Sequence, residues 1–421
     1  MPNTVIPHEF ALQHALKSAQ WAGLRYSSET TAQRTVRNDR PERNQSCLEE
    51  GAMCEVLVDG HFGYAATADL SDSGLMRTFD RAIATTRATS GYKVHAFDAS
   101  QRPKATGCYR SPRERGLDAT SLAEITDCLL AASQAMNLSD SLVNRSASAM
   151  IIQTQINYFS SSGSETRQSF DMVDITLSAT AVAGLESQTR SWSHTGQYGV
   201  EAFDRATLVQ QAQRTARQAL ELLSADNCAS ARMDLILLPD QMMLQIHESV
   251  GHPLELDRIL GDERNYAGWS FVKPQDFGHL QYGSELMNVS FDPTKTDEFA
   301  SYAFDDGGHR ASKEMLIENG VLKRGLGALE SQARSGLPGV ANFRSSCWNR
   351  APIDRMANIN LEPGNASLEE LIDQVEHGIL MTTNRSWSIN DYRNKGRKTC
   401  TNKHSASADR TANNSMATRA G

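Results

Sequence analysis

The amino-acid sequence predicts an α+β fold, and three observations carry that reading. Apolar residues recur at helical spacing in several separate segments. Alternating apolar runs meet at Asp59-Gly60 and Asn319-Gly320, the dipeptides that tolerate the backbone of a tight hairpin. Ile151 to Phe159 and Val173 to Ala179 read as two strands joined through a Ser- and Gly-rich turn.

In chain order, Phe10, Leu12, Ala15, Leu16, Ala19 and Ala22 predict a first helix that Gly23 stops. Cys54 to Val58 and His61 to Ala66 predict a hairpin. Leu75, Phe79, Ala82 and Ile83 predict a second helix, and Leu122 to Met136 a third with Ser121 as its N-cap. After the strand pair, a helix over Ala206 to Leu223 leads to a polar run, Ser224 to Asn227, where the main boundary is placed. Beyond it, Met315 to Leu322 predict the second hairpin, and Ser367-Leu368-Glu369-Glu370 is a capping box opening a helix that ends before Gly378. From Gly396 to Gly421 there is no Leu, Ile, Val, Phe, Tyr or Trp, so these residues are expected to form a disordered polar tail.

Composition excludes several function classes. With 42 Lys plus Arg against 50 Asp plus Glu in 421 residues, the net charge of -8 disfavours nucleic acid as a partner. No apolar run approaches the roughly 20 residues of a membrane helix, and Met1 to Glu9 lacks both halves of a signal peptide. A cytoplasmic protein with no membrane partner is therefore expected. Seven cysteines without CxxC spacing argue for free thiols.

The chemistry concentrates in one run. Asp240, read as a helix cap, precedes helix formers and then His247-Glu248-Ser249-Val250-Gly251-His252-Pro253. Zinc-binding helices place two histidines four apart on one face; five apart is roughly 140° on an ideal helix. A one-residue π-bulge would restore a common face, and Gly251 would lower the cost of the deformation. On that reading His247 and His252 hold Zn²⁺ while Glu248 takes a proton from the water attacking a peptide carbonyl. The alternative is a surface helix carrying two histidines by chance. His61, His194, His279 and His309 read as hydrogen-bonded loop or strand residues, and Asp305-Asp306-Gly307-Gly308 as a turn. Glu255, Asp257, Asp262 and Glu263 form either a solvated loop face or a source of one carboxylate that orients a ligand histidine. Arg385 and Trp387 read either as lining of a substrate channel or as a packed Trp with a partnered Arg.

The stretch His247 to Asp257 closely resembles the metal-binding helix of the TldD/PmbA family, in the TldD-like members that keep the histidines; PmbA-like members lack it. The resemblance extends over Phe62-Gly63-Tyr64-Ala65, Leu316-Ile317-Glu318-Asn319-Gly320, Pro352 to Asn358 and Thr383 to Ile389, and so over most of the chain up to about Asn394. It implies a mixed α/β N-terminal shell domain (residues 1–225) and a largely antiparallel β domain carrying the metal helix (residues 226–395). It further implies a zinc metallopeptidase acting on unfolded or small peptides inside a two-subunit shell, formed with a PmbA-like subunit or a second copy. In such proteins a cysteine after the Arg-Ser-Trp-Ser element is the third zinc ligand. Counting from Arg385 places Cys400 there, without that cysteine's aromatic and acidic neighbours. The chain's end is therefore expected to be truncated or frame-disrupted relative to the family, and the alternative function is an inactive, peptide-binding subunit. Zinc is preferred over iron or manganese because a His/His/Cys set is borderline-soft.

Overall fold

The computed structural model describes residues 8–226, 231–264, 268–384, 386–390 and 396–399, and in it the two turn dipeptides behave as their chemistry dictates. Asp59 and Gly60 take φ of 51° and 73°, and Asn319 and Gly320 take 50° and 76°. These left-handed values match a hairpin turn to the twist of its strands.

The first half runs α1 (His8–Ala15), β1 (Trp21–Arg37), β2 (Arg40–Val58), β3 (His61–Thr67), α2 (Asp72–Thr89), β4 (Thr106–Arg110), α3 (Leu122–Ala135), β5 (Leu142–Ser160), β6 (Glu165–Ala183), β7 (Glu186–Gly196) and α4 (Arg205–Leu223). The strands build a seven-stranded sheet in the order β3-β2-β1-β5-β6-β4, with β7 also paired to β6. All neighbours are antiparallel except β4, which runs parallel to β6.

Period-two alternation divides the faces of this sheet. Ala22, Leu24 and Tyr26 of β1 join Leu75 and Phe79 of α2 in one core, while Ala147, Ala149 and Ile151 of β5 pack with α3 and α4 in another. Ser121 caps α3, as its sequence predicts, and Glu124 completes a capping box. The opposite face of β1, β5 and β6 carries Arg25, Ser27, Ile152, Ile156, Gln168 and Phe170 toward the second half of the chain.

The first helix is shorter than its apolar spacing predicts. It ends at Ala15, and the chain enters β1 at Trp21. Gly23, read as a helix stop, lies mid-strand beneath Trp21, where a Cβ would stand 2.5 Å from the indole ring. Pairing on both sides with β2 and β5 supplies backbone partners that outweigh a helix-like run of small residues.

The second half contains β8 (Asp234–Leu237), α5 (Pro239–Ile246), α6 (Leu256–Leu260), β9 (Val289–Phe291), β10 (Glu314–Glu318), β11 (Val321–Leu322), α7 (Leu329–Ser335), β12 (Phe343–Arg344), β13 (Ile353–Asp354), β14 (Ile359–Leu361), α8 (Leu368–Asp373), β15 (Gly378–Met381), β16 (Ser386–Ile389) and β17 (Gly396–Thr399). Its largest sheet is antiparallel, β11-β10-β9-β14, while β8 and β15 pair in parallel. The α+β class is borne out. The polar stretch expected to be unstructured from Gly396 instead begins with β17, antiparallel to β16. Backbone groups make that ladder, and a polar composition supplies them as well as an apolar one. Residues 400–421 lie outside the described residues.

Gln168 of β6 joins the halves by accepting from the backbone N–H groups of Ala303 and Phe304 and donating to the Phe304 carbonyl. Arg25 of β1 pairs with Asp306 at 2.7 Å and donates to the carbonyls of Cys347 and Arg350. Arg102 binds Glu55 of β2 and Glu330 of α7.

Candidate metal centre

The helix that carries the histidines starts with Pro239 at its first turn and Leu238 at the cap position; Asp240, read as the cap, sits one residue inside it. Proline's fixed φ suits the first helical position, so no side-chain cap is needed. From His247 to Gly251 the helix widens into a π turn, closed by the His252 N–H donating to the His247 carbonyl. A short 3-10 turn, His252–Leu254, follows.

The local sequence explains the widening. In an α-helix the Ser249 carbonyl would accept from residue 253, which is proline and has no N–H. The Tyr282 hydroxyl takes that place, donating to the Ser249 carbonyl at 2.6 Å. Gly251 contributes differently from expectation. Its φ of -58° is ordinary, but a Cβ there would lie 2.0 Å from the Met356 sulfur. Close packing, not backbone freedom, requires glycine at this position.

A turn closed between residues five apart puts both histidines on one face. Their ring centroids are 4.5 Å apart and the planes nearly perpendicular, at 80°. Ligand atoms of His247, Glu248 and His252 all lie within 4.8 Å of one another. His247 is exposed, His252 half-buried and Glu248 buried, so the cluster meets solvent on the His247 side.

Glu255 is buried completely. Its Oε2 lies 2.9 Å from His252 Nδ1, and Arg258 donates to the same oxygen. Burial pushes the Glu255 carboxyl up, but the His252 and Arg258 contacts outweigh it and hold the group below its ordinary range. Glu255 Oε2 and, at 3.1 Å, Arg258 Nη2 both meet Nδ1 of His252, which leaves Nε2 for a ligand. The solvated-face reading of the acidic run is therefore corrected at two positions: Glu255 and Asp257 are buried, because α6 turns back under the metal helix and packs on α7 and β13. Asp262 and Glu263 pair with Arg334 and Arg355.

Two imidazoles, one already oriented by a buried carboxylate, with a second carboxylate beside them, are a donor set that fits Zn²⁺. Among the described residues no other group of three or more His, Cys, Asp or Glu converges in this way. His194 stacks between Trp192 and Tyr198, and burial pushes its pKa down. Asp305 to Gly308 forms the expected turn, with Asp305 accepting from the N–H groups of Gly307 and His309. Cys400 and Arg385 fall outside the described residues. Sequence reasoning missed Tyr282 and Met356; Pro253 announces the orphan carbonyl, but nothing nearby in the chain says which side chain meets it.

A mixed α+β scaffold that presents a His-Glu-His cluster on a distorted helix carries the donor types that a metal-dependent hydrolase uses. Residues 230–396 match the family profile of the PmbA/TldA metallopeptidase C-terminal domain, and residues 22–86 that of PmbA/TldA metallopeptidase domain 1. The chain belongs to the PmbA/TldD family of metalloproteases. It is 28% identical over 371 residues to a metalloprotease of Methanothermobacter thermautotrophicus, covering 88% of this chain and 78% of that one. A zinc metalloprotease TldD homolog of Saccharolobus solfataricus is 22% identical over 366 residues, covering 87% of this chain and 77% of the relative. The crystal structure of TldE from Thermococcus kodakarensis shares the fold at a TM-score of 0.75 and 14% identity, covering 95% of this chain and 90% of that one.

Proposed function

We propose that the chain is a zinc-dependent peptidase in which His247 and His252 hold the metal, Glu248 is the general base and Glu255 positions His252. The π turn that brings these three side chains within 4.8 Å carries the reading. Cys400 is the proposed third protein ligand, and unfolded or small peptides are the proposed substrates. The working assembly is a shell closed with a PmbA-like subunit or a second copy of this chain, in the cytoplasm. Residues 1–225 would form the wall of that shell and residues 226–395 the catalytic part.

When bound, Zn²⁺ supplies polarisation of a peptide carbonyl and acidification of a water. The chain's own residues do the remainder. Glu248, adjacent in sequence to one ligand and buried beside both, takes the proton of the attacking water on a carboxylate oxygen and returns it to the leaving amine. Glu255 keeps the His252 ring from rotating. The exposed edge at His247 is where a peptide approaches.

The test measures zinc per chain by elemental analysis, together with peptide hydrolysis. Wild type and Glu248→Gln should both hold about one zinc, while His252→Ala loses it. Hydrolysis should fall by about 10²–10⁴-fold in Glu248→Gln. A folded wild type that takes up no zinc, or a Glu248→Gln variant as fast as wild type, would overturn the proposal.

A further inference from the structure

A cavity of about 330 Å³ lies between the large sheet and the second half of the chain. The sheet contributes Glu29, Ile152 and Phe170; the other wall carries Phe299, Tyr302 and Arg344. None of His247, Glu248 and His252 lines it. Its lining nonetheless touches residues that pack on the π turn. Arg344 Nη1 donates to the Met356 carbonyl at 2.8 Å, and Met356 is the side chain that presses on Gly251 in the π turn. Phe170 and Tyr302 pack in the same apolar cluster as Val250 of that turn.

The charges of the cavity are unequally satisfied. Arg25 is neutralised by Asp306 at 2.7 Å. Glu29 accepts from the Thr154 hydroxyl at 2.8 Å, and Asp305, also in the lining, accepts from the backbone N–H groups of Gly307, His309 and Phe343. Arg344 stands over the Tyr302 ring, 5.7 Å from its centroid, and among the described residues no carboxylate lies within ion-pair distance of it. One guanidinium nitrogen is thus bonded to a backbone carbonyl, and Arg344 lines a cavity with aromatic walls. A planar donor fork of this kind suits a carboxylate, and the volume is at the small end of the about 300–1,000 Å³ typical of ligand pockets.

We infer that this cavity is a substrate subsite in which Arg344 binds a carboxylate of the peptide while the attached side chain packs on Phe170, Phe299 and Tyr302. The inference rests on the peptidase reading above and names the kind of peptide it prefers. The carboxylate is either the peptide's C-terminus or an acidic side chain. Glu29, Asp305 and Asp306 also line the cavity, so a second negative group in it is disfavoured. Arg344 is a specificity residue here and takes no part in proton transfer.

The experiment measures fluorescence anisotropy of three peptides on the full chain carrying Glu248→Gln, so that binding is read without turnover. The probes are fluorescein-Ala-Ala-Ala-Phe as the free acid, its C-terminal amide, and the amide of fluorescein-Ala-Ala-Glu-Phe. The free acid or the Glu peptide should bind at least about tenfold tighter than the plain amide. Whichever does so identifies the source of the carboxylate. Adding Arg344→Ala should erase the difference, Arg344→Lys should keep part of it, and Ile152→Trp, which fills the cavity from the opposite wall, should weaken the tight probe with Arg344 intact. Equal binding of all three probes to the parent overturns the inference. So does a preference that survives both Arg344→Ala and Ile152→Trp in proteins with parental zinc content and circular dichroism. If wild type hydrolyses no peptide but the Arg344-dependent preference persists, the peptidase reading fails alone; hydrolysis without the preference sinks only the subsite.

Discussion

At the scale of single residues, the proposed metal centre leans on two side chains outside the His247-Glu248-His252 cluster. Glu255 sets the orientation of His252 from a fully buried position, with Arg258 on the same oxygen. Replacing it with Gln keeps the shape but removes the charge that favours an Nδ1–H, so zinc affinity should drop about 10–100-fold by chelator competition. Tyr282 satisfies the carbonyl that Pro253 leaves orphaned. Tyr282→Phe should cost about 1–3 kcal/mol in urea unfolding, because the buried carbonyl then has no donor. The convergence of His247, Glu248 and His252 was legible in the sequence, because their spacing asks for one face of a distorted helix. Tyr282 was not, since a hydroxyl 33 residues away is linked to Ser249 only by folding.

At the scale of elements, the π turn is an α-helix with one residue too many between its two histidines, held open by what packs on it. Gly251→Ala would drive a methyl group into the Met356 sulfur. It should destabilise the protein by about 1–3 kcal/mol and lower zinc occupancy together, and Met356→Ala in the same chain should restore part of both. A double-mutant cycle in denaturant with zinc analysis reads this directly. The spacing of His247 and His252 was enough to demand a distorted helix. Caps were equally plain where local chemistry decides them, as at Ser121, the expected N-cap, and Ser367, which opens the expected capping box. The first helix was misjudged because an Ala- and Leu-rich run is compatible with either state, and pairing of β1 with two neighbours settled it.

At the scale of the whole molecule, buried ionic hydrogen bonds hold the two halves together. Arg102 is 2% exposed and bonds Glu55 at 2.8 Å through Nε as well as Glu330 of the other half. Arg102→Met would leave buried carboxylates without their cation and should cost about 3–5 kcal/mol in chemical denaturation. Asp305 adds a pH dependence. Burial raises its carboxyl from 3.8 to about 7, against the backbone N–H groups of His309 and Phe343 that favour the ion. The native state therefore holds a proton that the unfolded chain has released between those values. This group's contribution to stability is complete below pH 3.8 and is lost as pH rises through about 7. Thermal unfolding of Asp305→Asn should show a flatter decline over that range than wild type, whatever its absolute midpoint.

What the sequence determined by itself was local: the two left-handed turns, the capped helices, the alternation of the long strands, and the three residues of the candidate metal cluster. Each of these rests on interactions within a few residues, so the chain's own order encodes it. The tertiary structure alone decided which faces of those elements meet. It placed Glu255 and Arg258 under His252, sent Tyr282 to Ser249 and pressed Met356 on Gly251. It also left Arg344 facing a cavity while giving Arg25 a partner. These contacts join residues distant in the chain, and burial of the surfaces around them, which no local pattern records, is what gives them their strength.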